Sequence, residues 1–97
     1  MTLDDLTPEL KAKIKQIAAE HGAFNVRIFG SVAKGEADHN SDLDLLVDYD
    51  LGKIRPWFPV RLKRELEEFL NVKVDVVTPA GLKTRIRHQV LAESMSL

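Results

Sequence analysis

The sequence contains no cysteine among its 97 residues, which excludes disulfide bonds and thiolate metal sites together. No apolar run is long enough to span a bilayer, and the N-terminal segment, which carries Asp4 and Asp5, has no apolar region of the secretory type. We therefore expect a cytoplasmic protein that does not contact the membrane. Ninety-seven residues predict one domain over positions 1–97, with a single core.

The chain also lacks an excess of charge of either sign. Lys and Arg total 14 against 15 Asp and Glu, which gives a formal charge of −1 and no bulk attraction to nucleic acid. A local basic cluster is present, and we interpret it as a solvated helix face in preference to a triphosphate or partner contact; it comprises Lys53, Arg55, Arg61, Lys63 and Arg64. Trp57 and Phe58 are expected in the core or at a helix cap, because no second aromatic residue nearby completes a base-stacking platform.

Hydrophobic periodicity predicts alternating helices and strands. The predicted helices cover roughly 8–21 and 56–70, with a final helix marked by Leu82, Ile86 and Val90, and the predicted strands cover 24–29, 43–47 and 72–77. Residues 32–34 are expected to form a short helical turn. The strand, helix and strand between 43 and 77 form a βαβ crossover, which predicts that the second and third strands are parallel neighbours.

The most informative motif is Phe29-Gly30-Ser31, followed after ten residues by Asp42-Leu43-Asp44. Glycine has no Cβ to block a phosphate, so a strand that ends at Gly30 can present backbone N–H groups and the Ser31 hydroxyl to an anion. Side chains alternate across a strand, so Asp42 and Asp44 project from one face. Gly-Ser is also common in ordinary turns, and Asp-x-Asp is common in solvated loops. The occurrence of both at this spacing favours a functional site.

A third carboxylate, Asp75, lies within a run of valines. A buried carboxylate is costly unless it is paired or binds a metal, so its position indicates a site. If the second and third strands are adjacent, Asp75 faces Asp42 and Asp44. Three carboxylates without cysteine or clustered histidine favour Mg²⁺, or Mn²⁺ in its place, over zinc, and two such ions could support a phosphoryl or nucleotidyl displacement.

These segments resemble the signature of the minimal nucleotidyltransferase family, within the DNA-polymerase-beta-like superfamily. The resemblance rests on the residues from Phe29 to Glu36, on Ser41 to Val47, and on Val74 to Leu82 followed by Arg85-Ile86-Arg87. It implies an α/β (α+β) fold, in which a small mixed sheet of three to four strands packs with about four helices. Lys34 stands where members usually carry arginine, which keeps the charge but loses the planar fork.

The resemblance also implies an activity, a metal and a partner. Asp42, Asp44 and Asp75 would be catalytic and hold two Mg²⁺ ions, with Asp75 nearer the acceptor, while Gly30, Ser31 and Lys34 would bind the triphosphate of ATP. Many small members are antitoxins paired with a HEPN-domain ribonuclease toxin, and members have been associated with adenylylation of a tyrosine of that toxin. The expected reaction is transfer of AMP from ATP to a hydroxyl of such a partner, in a hetero-oligomer and without direct contact to nucleic acid.

Two other interpretations stay open at the level of sequence. The chain could be a binding module that neutralises its partner by occlusion alone, although a pure binder has no need of clustered acids. It could also be a small-molecule nucleotidyltransferase of the aminoglycoside-modifying type, although 97 residues leave no second domain to hold a sugar.

Overall fold

The computed structural model describes residues 1–97 and contains one sheet and four α-helices. In chain order the elements are α1 (Pro8–Glu20), β1 (Ala23–Phe29), α2 (Gly30–Ala33), β2 (Leu43–Tyr49), α3 (Val60–Leu70), β3 (Val74–Val77), α4 (Thr84–Glu93) and β4 (Met95–Ser96). Two short 3-10 turns, Leu3–Asp5 and Pro79–Gly81, complete the regular structure. None of the helices has the length and apolar character needed to cross a bilayer.

The sheet has the order β3-β2-β1-β4 and is mixed. β2 and β3 run parallel, as the βαβ crossover predicts, whereas β1 is antiparallel to both β2 and β4. The mixed α/β architecture with four helices expected from the family resemblance is therefore confirmed.

The main core lies between one face of the sheet and the helices α1 and α3. The β2 residues Leu43, Leu45 and Val47 point into it and are fully buried. They pack with apolar residues of the helices, namely Ile14, Ile17, Leu62 and Leu66. Because alternate strand residues point to opposite faces, Asp44, Leu46 and Asp48 lie on the other face of β2. Packing of one face thus leaves the other available for the carboxylates.

Several element boundaries differ from the sequence-based predictions. Helix α3 begins at Val60 and not at residue 56, because proline disfavours helical backbone in the residue before it, here Phe58. Trp57 is 69% exposed, so its placement in the core was wrong. The third strand begins at Val74 and not at residue 72, and the two-residue strand β4 was not predicted.

Strand β1 also departs from simple alternation. Strict alternation would place Phe24 on the same side as Val26 and Ile28, but it is 54% exposed while they are buried. Asn25 adopts a positive φ of 49°, and the pairing with β2 is irregular between Phe24 and Arg27. This bulge shifts the facing of the residues before it and leaves the end of β1 that leads to Gly30 in regular register.

Candidate active site

The pairing of three strands brings the predicted acidic residues to one region of the sheet. Asp44 lies opposite Phe29 of β1 on one side and opposite Asp75 of β3 on the other. Directly paired residues project from the same face, so Asp44 and Asp75 share a face. Asp42 precedes β2 by one residue and has the same parity as Asp44. The structure therefore places the three carboxylates on adjacent backbone positions of one sheet face.

The electrostatics of Asp44 reflect this arrangement. Partial burial raises the pKa of its carboxyl group, and the negative charges of Asp75 and then Asp42 raise this pKa further. Asp44 therefore lies within the electrostatic reach of both other acids. A local excess of negative charge of this kind favours either a proton or a cation.

Asp75 differs from its sequence-based description. Its side chain is exposed, not enclosed by the valines around it, because β3 is an edge strand and the face that carries Asp75 is open. The argument from burial was wrong for this residue. Exposure leaves the Asp75 carboxylate accessible to an acceptor arriving from solvent.

The donor set suits a divalent cation of the magnesium class. Carboxylate oxygens are the ligands that Mg²⁺ and Mn²⁺ prefer, and the charge environment of Asp44 is one that such a cation would relieve. No three acidic or histidine side chains already converge tightly enough to hold a metal ion. The three carboxylates are ligands of the type that such an ion prefers, while their side chains do not converge on one point in this structure.

Gly30 lies in contact with the central carboxylate. Its φ is +73°, in the region that favours glycine, and a Cβ at this position would overlap the Oδ2 of Asp44. The glycine is thus required twice, once by the backbone turn from β1 into α2 and once by the side chain of Asp44. The close approach leaves the start of α2 beside the acids.

Ser31 and Lys34 flank this turn. Ser31 is half-buried in the first turn of α2, whose N-terminus receives no hydrogen bond from a capping side chain, so its first N–H groups remain available. The Nζ of Lys34 lies 3.5 Å from the Oε2 of Glu93 in α4. The exposed Lys34–Glu93 pair is weak. Phosphate binding by Lys34 stays a prediction.

Sequence reasoning missed the contacts that hold the loop before Asp42. The Asp38 carboxylate accepts the N–H of Asn40 at 2.8 Å, which lowers the pKa of Asp38, and the Ser41 Oγ accepts the N–H of Asp38 at 3.0 Å. The ammonium group of Met1 donates to the carbonyl oxygens of residues 38, 39 and 41 at 3.2 to 3.3 Å. The Asp-x-x-Ser spacing is a local signal for such a turn, whereas the Met1 contacts are long-range.

A second missed contact fixes the start of β3. The Glu67 Oε2 accepts the N–H of Val74 at 3.0 Å and also lies 3.0 Å from the Nζ of Lys63. The Val74 bond in the first place, and then Lys63, lower the pKa of Glu67. Because Val74 directly precedes Asp75, this bond anchors the strand that carries the third acid.

Comparison with known proteins identifies the family of the chain. The family model described as polymerase beta, nucleotidyltransferase matches residues 12–97. A protein of Methanocaldococcus jannaschii with the provisional name protein adenylyltransferase is 39% identical over 89 residues, covering 92% of this chain and 95% of the relative. Protein adenylyltransferase MntA of Thermococcus cleftensis is 34% identical over 93 residues, covering 96% and 93%.

Solved structures show the same fold. A structure described as a minimal nucleotidyltransferase superposes with a TM-score of 0.84 at 45% identity, covering 100% of this chain and 97% of the other. A toxin-antitoxin crystal structure with AMP-PNP superposes with a TM-score of 0.74 over 89% of this chain and 70% of that one, and at 23% identity it supports the fold alone. Because the family model covers nearly the whole sequence, the chain belongs to the polymerase beta nucleotidyltransferase family, and it is an enzyme of the minimal nucleotidyltransferase type.

Proposed function

We propose that this chain transfers AMP from ATP to a tyrosine hydroxyl of a HEPN-domain toxin and acts in the cytoplasm as its antitoxin. The observation that carries the proposal is the register that sets Asp44 opposite Asp75 while Gly30 packs against the Asp44 carboxylate. This arrangement combines an acidic pair with an anion-binding turn. The relatives named protein adenylyltransferase, at 34% to 39% identity, support the nature of the group transferred.

The order of strands supports a separate side of Asp44 for each substrate. Gly30 and Ser31 follow β1, so the triphosphate lies on the β1 side of Asp44, where backbone N–H groups and the Ser31 hydroxyl donate to phosphate oxygens. Asp75 belongs to β3 on the other side of Asp44, and its exposed carboxylate meets the acceptor. The two substrates thus approach Asp44 from opposite directions, as an in-line displacement requires.

The reaction balances with these groups. The acceptor oxygen forms a bond to the α-phosphorus, the bond from that phosphorus to the bridging oxygen breaks, and pyrophosphate leaves. Asp75 accepts the hydroxyl proton. Asp42, Asp44 and Asp75 would hold Mg²⁺, which when bound offsets the charge that develops on the phosphate oxygens.

The test is transfer of label from α-labelled ATP, in Mg²⁺, to the HEPN-domain toxin proposed as the partner. We expect the partner to gain the mass of AMP on a tyrosine, located by mass spectrometry. The double variant Asp42→Asn with Asp44→Asn should transfer nothing. A matched control, Glu20→Gln with Glu68→Gln, removes the same charge at two exposed positions outside salt bridges and should retain transfer.

Two results would overturn the proposal. One is absence of transfer by the wild-type chain, and the other is equal transfer by the Asp42→Asn, Asp44→Asn variant. If that variant still inhibits the toxin as strongly as the wild type, neutralisation occurs by occlusion. Transfer of AMP to an aminoglycoside and not to the protein would identify a small-molecule enzyme.

A further inference from the structure

A basic and aromatic surface lies around the start of α3, and the reaction does not use it. We define the arginine-tryptophan patch as Arg55, Trp57, Val60, Arg61 and Arg64. Trp57 is 69% exposed and Val60 is 48% exposed. Trp57, Val60, Arg61 and Arg64 together line a cavity of about 520 Å³. An indole ring therefore stands in solvent among guanidinium groups.

The arginines of the patch have no acidic partners within the chain. Lys63, which belongs to the same basic run, pairs with Glu67 at 3.0 Å, and Lys53 lies 3.9 Å from Asp50. Arg55, Arg61 and Arg64 are absent from all the salt bridges of the structure. In a chain with a net charge of −1, positive charge is concentrated here, and Glu20, which lines a neighbouring cavity with Arg55 and Arg61, forms no ion pair with either.

The patch is remote from the carboxylates. Phe58 contacts Tyr49 with ring centroids 5.5 Å apart, which places the turn before α3 at the end of β2 farthest from Asp42. Tyr49 lies five positions after Asp44 along β2, and at roughly 3.3 Å per residue this is a distance of about 16 Å. The turn that carries Arg55 therefore lies far from Gly30, and α3, which carries Arg61 and Arg64, packs on the sheet face opposite Asp44. This arrangement disfavours the triphosphate contact considered from the sequence.

We propose that the arginine-tryptophan patch docks an acidic surface of the protein with which this chain assembles. Tryptophan and arginine are the residues most enriched at the centres of protein interfaces, where the ring fills a pocket and guanidinium groups bind carboxylates in bidentate fashion. The unpaired arginines supply the charge complementarity. In identifying the partner as the HEPN-domain toxin, the inference rests on the proposed function.

The surface is less suited to nucleic acid. Single-stranded nucleic acid is bound by successive stacked bases, and Phe58 packs against Tyr49 and leaves Trp57 as the one exposed ring of the patch. The chain as a whole provides no positive field to attract a phosphate polymer. A protein partner with apolar and acidic groups matches both Val60 and the arginines.

The single tryptophan of the chain makes a direct test available. The chain is labelled with 5-fluorotryptophan, so that the unlabelled HEPN-domain protein adds no signal to the ¹⁹F spectrum. On saturation with that protein, without ATP, we expect the resonance to shift and its H₂O/D₂O isotope effect to fall as the ring leaves solvent. An unchanged resonance in the saturated complex, or failure to form a complex, would overturn the inference.

Reversal of the charges of the patch supplies a second test, in which calorimetry measures the affinity of each variant for the HEPN-domain protein. Arg61→Glu with Arg64→Glu should weaken binding at least about tenfold. Lys13→Glu with Lys15→Glu, a change of the same size at exposed positions of α1 outside salt bridges, should weaken it less than about twofold. Circular dichroism of both variants is recorded to check that they fold.

Equal weakening by the two variants would overturn the inference. So would the same ¹⁹F response to a single-stranded RNA oligonucleotide, or to self-association of the chain at increasing concentration. A complex that forms through the patch but receives no AMP would overturn the proposed function and leave this inference standing.

Discussion

Gly30→Ala offers a quantitative test of the contact between the turn proposed to bind phosphate and the central acid, because the chain contains a matched control. Gly30 and Gly35 have nearly the same φ, +73° and +72°. A Cβ at Gly30 would overlap the Asp44 Oδ2, whereas a Cβ at Gly35 would meet nothing within 4 Å. The two substitutions therefore share the penalty of a positive φ and differ in the steric effect on Asp44.

The shared penalty is that of alanine in the left-handed region, roughly 1–2 kcal/mol. For a domain of this size, 1 kcal/mol lowers Tm by about 4–8 °C. The overlapping atom at Gly30 is the far end of a side chain that can rotate, so the overlap adds little to the loss of stability. Rotation does move the Asp44 carboxylate, and a displacement on the order of 1 Å at a reacting centre can lower the rate about 100-fold.

The assay measures thermal unfolding and AMP transfer for both variants, below the Tm of each. We expect similar losses of stability, with transfer about 100-fold slower for Gly30→Ala and within about threefold of wild type for Gly35→Ala, figures that follow from the displacement argument. Transfer rates that fall equally in the two variants would show that only backbone strain matters. Normal transfer by Gly30→Ala would refute the close packing of the turn against the acid.

Three further predictions concern the same scaffold. The pKa of Asp44 is raised in the folded state, so protonation of its carboxyl group stabilises the fold at low pH, and this stabilisation is lost as pH rises through the folded pKa. Asp44→Asn should therefore raise Tm at neutral pH by a few degrees, as measured by calorimetry. A lower Tm would contradict this prediction. Glu67→Gln should lower Tm at neutral pH, because the pKa of Glu67 is depressed in the folded state. The difference in Tm from wild type should shrink as pH falls through the folded pKa of Glu67. A difference in Tm that is independent of pH would contradict this prediction. Leu66→Ala should cost about 2–5 kcal/mol in urea unfolding because Leu66 is fully buried, and a cost below about 1 kcal/mol would contradict its place in the core.

The parts of the fold that depend on local chemistry could be predicted from the sequence. The start of α1 follows from Thr7, whose Oγ1 accepts the N–H of Leu10, and from Pro8 at the first helical position. The turn at Gly30 follows from the glycine itself. The alternation of Asp42 and Asp44 with apolar residues was sufficient to place both acids on one face.

The parts of the fold that depend on long-range strand pairing could not be predicted from the sequence. The alignment of Asp44 with Asp75 requires the register of two strands separated by a helix, and a slip of one residue would have turned Asp75 to the opposite face. Asp75 was taken for a buried residue because valines surround it in sequence, but exposure is set by its edge position. Strand β4 is two residues long and is defined by its pairing with β1, so no local pattern predicts it.

Nucleotide binding to variants of the acidic residues tests the central claim most directly. The claim is that Asp44 and Asp75 act together on one face of the sheet, beside Gly30, to hold a metal-nucleotide complex. In titration calorimetry with a non-hydrolysable ATP analogue and Mg²⁺, we expect the wild type and the Glu20→Gln, Glu68→Gln control to bind. The Asp44→Asn, Asp75→Asn variant should lose the part of the affinity that depends on Mg²⁺. Binding by that variant with unchanged affinity and unchanged dependence on Mg²⁺ would contradict the account.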